Sequence, residues 1–413
     1  MGRVRALLTT RGSAGHLLPL APFGHALVDA GHQVLVAAQA QHRANVEKTG
    51  LAFAPVGDPP PEAWMPLLSD FATLDLDRAN ELMIGEFFAG IDVRAALPGL
   101  RDVVEAYAPD LIVRESWEFA STLVADEHEI PLARVELGLA SIEDLSIDVA
   151  AALVDGARRE AELEPDPAGD QLRAAPYFTP VPAPLDDSAA PTASIAHRVS
   201  GGELPRASGD RRAPWRPTGG EPLVYVTLGS VAAATHLPYY PTLFRRVLEA
   251  LSGLSARVVL TIGDDRDLDE LGPLPSNAHV ERWIPHDAIV PHADVVVCHG
   301  GFGSTLGTLR HGVPLVVLPL FGIDQWANAA AVSRIGAGLA LDRERHTRPV
   351  LGLPGDETIG ELRDAVEQVL ATDSHRHAAE RIADAERSSL SLATAVDELV
   401  SIAARRPVGA PSS

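Results

Sequence analysis

Residues 299–305 read His-Gly-Gly-Phe-Gly-Ser-Thr, a set of residue types that suits an anionic ligand. The glycines predict a tight turn with exposed backbone N–H groups, and a helix is predicted to begin near Ser304. Backbone N–H groups beside the positive end of a helix can bind phosphate without a lysine. His299 can donate a hydrogen bond to the same phosphates, and Ser304 and Thr305 can add hydroxyls. The stretch therefore predicts a diphosphate site.

Two better-known phosphate motifs do not fit this stretch. A dinucleotide-binding turn requires Gly-x-Gly-x-x-Gly, but Leu306 stands at the third glycine position, which argues against an NAD-dependent oxidoreductase. A P-loop requires a lysine at this point, and Lys48 is the only lysine of the chain. From the glycines alone, an ordinary strand–turn–helix connection stays an open alternative.

A second candidate site lies at residues 12–19, Gly-Ser-Ala-Gly-His-Leu-Leu-Pro. The imidazole of His16 is of a type that can accept a proton from an attacking hydroxyl. Such a base gains from a carboxylate on its other ring nitrogen, which orients it and stabilises the imidazolium. Glu115 and Glu118 follow a predicted strand and are the candidate partners. The alternatives are a helix-terminal histidine without a catalytic role and solvated turn carboxylates.

Short apolar runs alternate with helical periodicity, and this alternation predicts the elements that carry both sites. Strands are predicted at residues 4–8, 33–37, 111–113, 131–135, 223–228, 257–262, 279–283, 295–298 and 315–318. The first helix is predicted to bury Leu20, Gly24, Leu27 and Val28, and helices near 358–370, 375–388 and 391–404 close the chain. Strands separated by helices imply parallel, doubly wound sheets with a ligand at the carboxyl ends of the strands.

A Pro-, Gly-, Ser- and Arg-rich stretch interrupts this alternation between about residues 183 and 220. We therefore expect an N-terminal domain at 1–200, a linker at 201–220 and a C-terminal domain at 221–390. Residues 391–413 are expected to form a final helix and a frayed tail.

Composition excludes several classes of function. The 413 residues carry 34 basic and 56 acidic side chains, a net charge of −22, which disfavours nucleic acid and anionic membrane surfaces as partners. The single cysteine, Cys298, excludes an intrachain disulfide and a cysteine-based zinc site. No apolar stretch is long enough for a membrane span or a signal-peptide core, so we expect a cytoplasmic protein.

Three motifs in order resemble the donor-binding signature of the family 1 glycosyltransferases of the GT-B fold, especially actinobacterial enzymes that act on natural products. They are Trp-Ile-Pro at 283–285, the stretch 299–305, and Asp-Gln-Trp-Ala-Asn at 324–328. The resemblance covers nearly the whole chain. It implies an α/β GT-B architecture, in which two Rossmann-like domains with doubly wound parallel sheets face a central cleft.

The resemblance also implies the roles of the two domains and of the donor-site residues. The domain at 1–200 would bind the acceptor, the domain at 221–390 would bind the nucleotide sugar, and the final helix would cross back to the N-terminal domain. Trp283 would stack on or flank the nucleotide base, and Asp324 and Gln325 would bind the sugar hydroxyls. The residues expected to face the diphosphate are Gly229, Ser230, His299, Gly300, Gly301, Gly303, Ser304 and Thr305.

For catalysis, the resemblance implies that a sugar is transferred with inversion from a nucleotide-diphosphate donor to a hydroxyl of a small hydrophobic natural product. The expected donor is a dTDP-sugar, with a UDP-sugar as the alternative. His16 would be the base and Glu115 its partner. An apolar but irregular segment at 64–88, with Trp117, could line the acceptor pocket, although plain core packing is an equal alternative. The acceptor candidates are Trp64, Phe71, Phe87, Phe88 and Trp117.

No metal or other cofactor is required by this scheme. The Asp-x-Asp pairs at 75/77, 265/267 and 267/269 resemble metal-binding pairs of the unrelated GT-A fold, but the last two lie in an acidic loop and are expected to be solvated or to cap a helix.

A nucleotide-sugar 2-epimerase of the same fold and a non-catalytic partner protein are the rival functions. The predicted partners are the nucleotide sugar and the acceptor, and a homodimer is left open.

Overall fold

The computed structural model describes residues 2–69, 71–187, 196–200, 213–217, 219–232, 237–341 and 345–405. Its strands form two sheets, and all the strand pairings within them are parallel. The predicted α/β class with parallel, doubly wound sheets is confirmed. No helix in the described part is both long and apolar enough to cross a bilayer.

Within the described ranges, the first sheet contains seven strands. They are β1 Arg5–Thr9, β2 Gln33–Gln39, β3 Ala52–Val56, β4 Leu111–Glu115, β5 Leu132–Val135, β6 Tyr177–Thr179 and β7 Ala196–Arg198. Their order in the sheet is β3-β2-β1-β4-β5-β6-β7. Every residue of the central strand β4 is buried, as a strand covered by helices on both faces requires.

The helices of this half surround the sheet. They are α1 Ala14–Leu17, α2 Ala21–Asp29, α3 Arg43–Lys48, α4 Pro61–Leu68, α5 Leu76–Asn80, α6 Val93–Tyr107, α7 Ala120–Glu127, α8 Ala140–Glu160 and α9 Asp170–Ala174. Short 3₁₀ turns cover Ala40–His42 and Phe71–Thr73, and Glu81–Asp92 forms a π-helical segment. The apolar stretch at 64–88 is therefore largely helical, not irregular, because its residues pack onto neighbouring helices.

The second sheet contains six strands in the described residues. They are β8 Leu223–Thr227, β9 Arg257–Thr261, β10 Ala278–Glu281, β11 Val295–Cys298, β12 Leu315–Val317 and β13 Gly338–Ala340, in the order β10-β9-β8-β11-β12-β13. The helices are α10 Gly229–Ala232, α11 Thr242–Leu251, α12 His286–Ile289, α13 Phe302–Arg310, α14 Ile323–Arg334, α15 Asp356–Gly360, α16 Leu362–Ala371, α17 Asp373–Arg387 and α18 Leu392–Ala403. Short 3₁₀ turns lie at Leu268–Leu271 and Val290–His292.

Each sheet reverses its direction of winding at one strand pair. The chain runs outward from β1 to β3 and then returns to β4 beside β1, and it repeats this course with β8, β10 and β11. The loops after such a pair diverge and open a crevice at the carboxyl ends of the strands. His16 and Glu115 lie at this point of the first sheet, and Gly229 and His299 lie at this point of the second.

The final helix α18 returns to the first sheet. Its residues Val396, Leu399 and Val400 are buried in one apolar cluster with Leu8 and Leu17. The predicted domain boundaries stay predictions. Most of the expected linker at 201–220 and the tail at 406–413 lie outside the described residues.

The two halves also meet through a smaller apolar cluster, which joins Leu76 and Ile142 to Ile323, Trp326 and Val350. The Val350 backbone N–H donates to the Leu74 carbonyl at 2.8 Å, so the contact includes a main-chain hydrogen bond. This cluster holds α14, which begins at the donor-site motif, against the first half of the chain.

Candidate active site

His16 and Glu115 are brought together by the first sheet. The Nδ1 atom of His16 lies 2.9 Å from Oε1 of Glu115, although 99 positions separate the two residues. The Glu115 side chain is fully buried, and that of His16 is 11% exposed. The carboxylate also accepts hydrogen bonds from the backbone N–H of Arg11 at 3.3 Å and from that of Trp117 at 2.7 Å.

These contacts determine which ring nitrogen of His16 carries the proton. Burial raises the pKa of Glu115, but the charge of His16 and the hydrogen bonds of His16 and Trp117 outweigh it, so the pKa lies below its ordinary value. An ionised carboxylate can only accept, so Nδ1–H of His16 must donate to it. When the ring is neutral, the lone pair is therefore on Nε2, the nitrogen that a general base needs.

Glu118, the competing carboxylate, is placed differently. Its Oε1 accepts from the backbone N–H of Ser121 at 3.1 Å and so caps the start of α7. Burial raises the pKa of Glu118, although hydrogen bonds from Ser121 and Thr9 oppose the increase. Glu118 therefore acts on the backbone, while Glu115 holds His16.

A row of aromatic rings leads away from His16. The ring centroid of Trp117 lies 5.4 Å from that of His16, and Phe88 stacks on Trp117 at 5.5 Å. Phe87 lies 5.6 Å from Phe88, and Trp64 lies 6.3 Å from Phe87. Four of the five acceptor candidates thus form a continuous apolar wall that ends at the base.

The far end of this wall borders a cavity of about 320 Å³. Trp64, Leu67, Met83 and Phe87 supply apolar surface, and Asp58 is the charged residue of the lining. Phe71, the fifth acceptor candidate, packs against the apolar cluster between the two halves instead. Trp117 also borders this cluster, but Phe71 makes no ring contact with the other four candidates within the described residues.

The glycine-rich turn is built as its residue types require. Gly301 caps α13, which begins at Phe302, two residues earlier than expected. Gly300 has φ of 86°, a conformation that disfavours other residues. A Cβ at Gly300 would lie 2.7 Å from the carbonyl oxygen of Gln325 and 2.8 Å from Cγ1 of Val317.

Replacing Gly300 with Ala should therefore lower the free energy of unfolding by about 2–4 kcal/mol, from backbone strain and overpacking. Gly360 is the matched control because a Cβ there has no neighbour within 4 Å. Urea denaturation would measure both. An equal midpoint for Gly300→Ala and wild type would show that the turn is not packed as described.

His299 lies between two glycines of different loops. A Cβ at Gly229 would lie 2.5 Å from Cε1 of His299, and one at Gly301 would lie 2.4 Å from Nε2. Burial lowers the pKa of His299 to about 4, so the ring is neutral near pH 7. Its Nδ1 atom is buried without a hydrogen-bond partner in the described structure. His299 can thus offer a hydrogen bond but no charge.

The start of α14 supports the same turn. Asn328 donates from Nδ2 to the Gly300 carbonyl at 2.8 Å, and Oε1 of Gln325 accepts from the backbone N–H groups of Leu320 and Phe321 at 2.8 and 3.0 Å. Gln325 therefore uses its oxygen to hold the loop before α14. Only its amide nitrogen is left to contact a sugar, a division of roles that sequence reasoning missed.

Asp324 lies in the first turn of α14 and is half-buried. Burial raises the pKa of Asp324 to about 6, whereas nearby backbone hydrogen bonds and the charge of His16 act to lower it. His16 and Asp324 thus interact electrostatically, although they belong to different halves of the chain.

The other donor-site candidates are positioned unequally. Trp283 follows β10 and is 63% exposed, so its indole face is accessible to a nucleotide base. Ser304 is half-buried and Gly303 is exposed on the first turn of α13, whereas Thr305 is only 2% exposed. The side chain of Ser230 lies outside the described residues.

One aspartate of each acidic pair, Asp75 or Asp267, caps a short helix. Asp75 accepts from the Arg78 backbone at the start of α5, and Asp267 accepts from the backbone of Asp269. The capping role expected for Asp267 is confirmed. Within the described residues, no group of three or more His, Cys, Asp or Glu side chains could hold a metal ion.

Comparison with known proteins places this chain in a family. Residues 25–179 match the N-terminal domain, and residues 245–402 the C-terminal domain, of the family described as erythromycin biosynthesis protein CIII-like. The chain is 32% identical over 385 residues to L-demethylnoviosyl transferase of Streptomyces niveus, a match that spans 92% of this chain and 93% of the relative. The chain belongs to the EryCIII-like glycosyltransferase family.

Other relatives agree with this assignment. Elloramycin glycosyltransferase ElmGT of Streptomyces olivaceus is 30% identical over 350 residues, which cover 81% of this chain and 85% of the relative. The solved structure of spinosyn rhamnosyltransferase SpnG superposes with a TM-score of 0.76 at 22% identity and covers 97% of this chain and 100% of that one. The predicted GT-B fold and the expected glycosyltransferase of antibiotic biosynthesis are confirmed.

Proposed function

We propose that this EryCIII-like glycosyltransferase moves a sugar from a dTDP-sugar to a hydroxyl of a small hydrophobic acceptor, with inversion at the anomeric carbon. The observation that supports the proposal most strongly is the His16–Glu115 pair at the carboxyl ends of β1 and β4, and the charge of His16 also lowers the pKa of Asp324 in the other half. A SpnG structure is complexed with thymidine diphosphate, and this supports dTDP as the nucleotide, with UDP as the alternative.

In the proposed reaction, the acceptor oxygen attacks the anomeric carbon as the bond from that carbon to the diphosphate oxygen breaks. Nε2 of His16 accepts the hydroxyl proton, and Glu115 stabilises the resulting imidazolium. Negative charge develops on the leaving diphosphate. The N-terminal N–H groups of α13 and the neutral ring of His299 would meet this charge, so no metal is required by the proposal.

The donor would lie along the carboxyl edge of the second sheet. Trp283 offers an exposed ring face to the nucleotide base, and the turn at Gly300 offers its N–H groups to the diphosphate. The carboxylate of Asp324 would accept hydrogen bonds from the sugar hydroxyls, and the amide nitrogen of Gln325 would donate a hydrogen bond to them. The acceptor would lie on the aromatic wall from Trp64 to Trp117, whose near end contacts His16.

A screen of dTDP- and UDP-sugars tests the donor. A donor present at about 100 times its dissociation constant should stabilise the protein by about 2.7 kcal/mol, which thermal unfolding can detect. The bound donor is then incubated with and without hydrophobic phenols such as 4-methylumbelliferone, and the products are analysed by mass spectrometry. A glycosylated phenol supports the proposal, whereas a donor epimerised without any acceptor favours the epimerase.

The titration of Asp324 gives the proposal a pH dependence. Because the pKa of Asp324 is raised to about 6, the carboxylate is ionised above that pH and protonated below it. Only the ionised form accepts fully from sugar hydroxyls. We expect the affinity for dTDP-glucose to fall as the pH falls from about 7 to about 5, by up to about tenfold, since roughly one-tenth of the carboxylate is ionised one unit below its pKa.

Calorimetry without an acceptor measures this dependence, with Asp324→Asn as the reference. The variant should bind more weakly at pH 7 but with a flat profile. His299 does not titrate in this window because burial holds its pKa at about 4. Equal pH profiles for the two proteins would remove Asp324 from the sugar site.

A further inference from the structure

Arg11 occupies a position that the proposed reaction does not explain. It lies in the loop between β1 and α1, and its side chain is only 14% exposed. Its Nε donates to Oδ2 of Asp92 at 2.5 Å, and the Asp92 side chain is 7% exposed. A nearly buried ion pair contributes little net stability on average, yet it is costly to break, so its location calls for a second reason.

The guanidinium of Arg11 also packs against the acceptor wall. Its central carbon lies 3.6 Å from the ring centroid of Phe88 and 5.2 Å from that of Phe87. Phe88 in turn stacks on Trp117 and meets the ring of His16 edge-on at 6.2 Å. The planar face of arginine suits such stacking, which lysine cannot reproduce.

The backbone of the same residue contacts the catalytic pair. The N–H of Arg11 donates to Oε1 of Glu115, the oxygen that also accepts from His16. Arg11 therefore contacts Glu115 through its main chain and Phe88 of the acceptor wall through its side chain. A displacement of either part would change the distance from the wall to Nε2 of His16.

The wall itself needs an anchor because of its backbone geometry. Phe87, Phe88 and Asp92 all belong to the π-helical segment Glu81–Asp92. Extended π-helices are rare and are found mostly at functional sites, where surrounding contacts maintain them. The ion pair with Asp92 and the stack on Phe88 connect the last turn of this segment to the loop that carries His16.

We propose that Arg11 and Asp92 form a positioning pair that holds the acceptor wall at the distance from His16 at which an acceptor hydroxyl reaches Nε2. This inference rests on the proposed function for its catalytic consequence. The pair acts through Phe88 and Glu115 and does not itself exchange protons with the substrates.

Arg11→Met, which keeps an unbranched apolar stem but removes the guanidinium with its charge and planar face, tests the pair. Amide hydrogen exchange of the segment Glu81–Asp92 should become about tenfold faster, because its tertiary anchor is lost. Transfer from dTDP-glucose to 4-methylumbelliferone should lose about 10- to 100-fold in kcat, since misplacement of reacting groups by about 1 Å has effects of this size. The KM for dTDP-glucose should change less than about threefold, because the donor contacts the other sheet.

Two variants separate positioning from general stability. Arg11→Lys keeps the ion pair and loses only the stacking, so its kcat should fall between those of wild type and Arg11→Met. Arg101→Met breaks the ion pair between Arg101 and Glu127, which joins α6 to α7 outside the site, and should leave kcat and the exchange of Glu81–Asp92 unchanged.

The outcomes are distinguishable. Unchanged exchange in Glu81–Asp92 would overturn the proposal whatever the activity, as would faster exchange with unchanged kcat. A parallel loss of kcat and donor affinity would show a merely structural role and would also overturn it. If the wild type transfers no sugar to any phenol tested, the proposed function fails, while the exchange measurement still decides whether Arg11 anchors the wall.

Discussion

His16→Ala is expected to lower the rate of sugar transfer by about 10²–10⁴-fold, the usual contribution of a positioned general base. The KM for the donor should change little, because the proposed contacts of the diphosphate and the nucleotide base belong to the second sheet. Initial rates with dTDP-glucose and 4-methylumbelliferone measure the effect, and thymidine diphosphate affinity by calorimetry shows whether the donor site is intact.

His25→Ala is the matched control for this variant. His25 is an exposed histidine of α2 whose Nε2 contacts the Thr49 carbonyl at 2.8 Å, far from the crevice at the strand ends. This variant should retain wild-type turnover. Intact turnover in His16→Ala would remove the proposed base, and an equal loss in both variants would indicate damage to the fold.

Glu115→Gln is expected to cause a loss of about 10²–10⁴-fold, for a different physical reason. The two oxygens of Glu115 accept from the N–H groups of His16, Arg11 and Trp117, so an amide NH₂ in either position must face another donor. The imidazole then loses its orientation, its tautomer and the charge that stabilises its protonated form. Steady-state kinetics should show a lower kcat with a nearly unchanged donor KM.

Glu118→Gln separates this effect from the loss of any buried carboxylate nearby. The amide oxygen of the substituted side chain could still accept from the Ser121 backbone, so the cap on α7 would persist and kcat should fall by less than about fivefold. A larger loss in Glu118→Gln than in Glu115→Gln would reverse the assignment of the two carboxylates.

Much of the fold is predictable because buried parallel strands are short apolar runs. The run at 295–298 matches β11 in full, and eight further predicted strands match within a few residues. Strands β3, β6, β7 and β13 are not predicted. Strands β6, β7 and β13 have only three residues each. Strand β3 lies at a sheet edge, where a proline such as Pro55 is tolerated. The local sequence therefore does not distinguish these four strands from loops.

Side-chain environment is less predictable. Val28 is predicted on the buried face of the first helix, but it is 47% exposed, because the buried face of α2 is formed by Phe23, Gly24 and Leu27 and Val28 lies at its edge. The π-helical segment Glu81–Asp92 has no sequence periodicity that identifies it, since tertiary contacts maintain it.

For the candidate site, residue types indicate the chemistry but not the contacts. The pairing of His16 with Glu115 depends on two strands brought side by side, and the choice over Glu118 depends on which carboxylate faces the crevice. Sequence reasoning misses Arg11, although it lies only five positions before His16, because its role depends on Asp92 and Phe88. A lone arginine in a loop carries no signal of such contacts.

The most direct test of the central claim, single displacement with His16 as the base, is the anomeric configuration of the product. Purified protein is incubated with an α-linked dTDP-sugar and an accepted phenol, and the glycoside is examined by proton NMR. A β-glycoside is the predicted product, formed at a greatly reduced rate by His16→Ala. An α-glycoside would contradict single displacement, because retention requires a different reaction course.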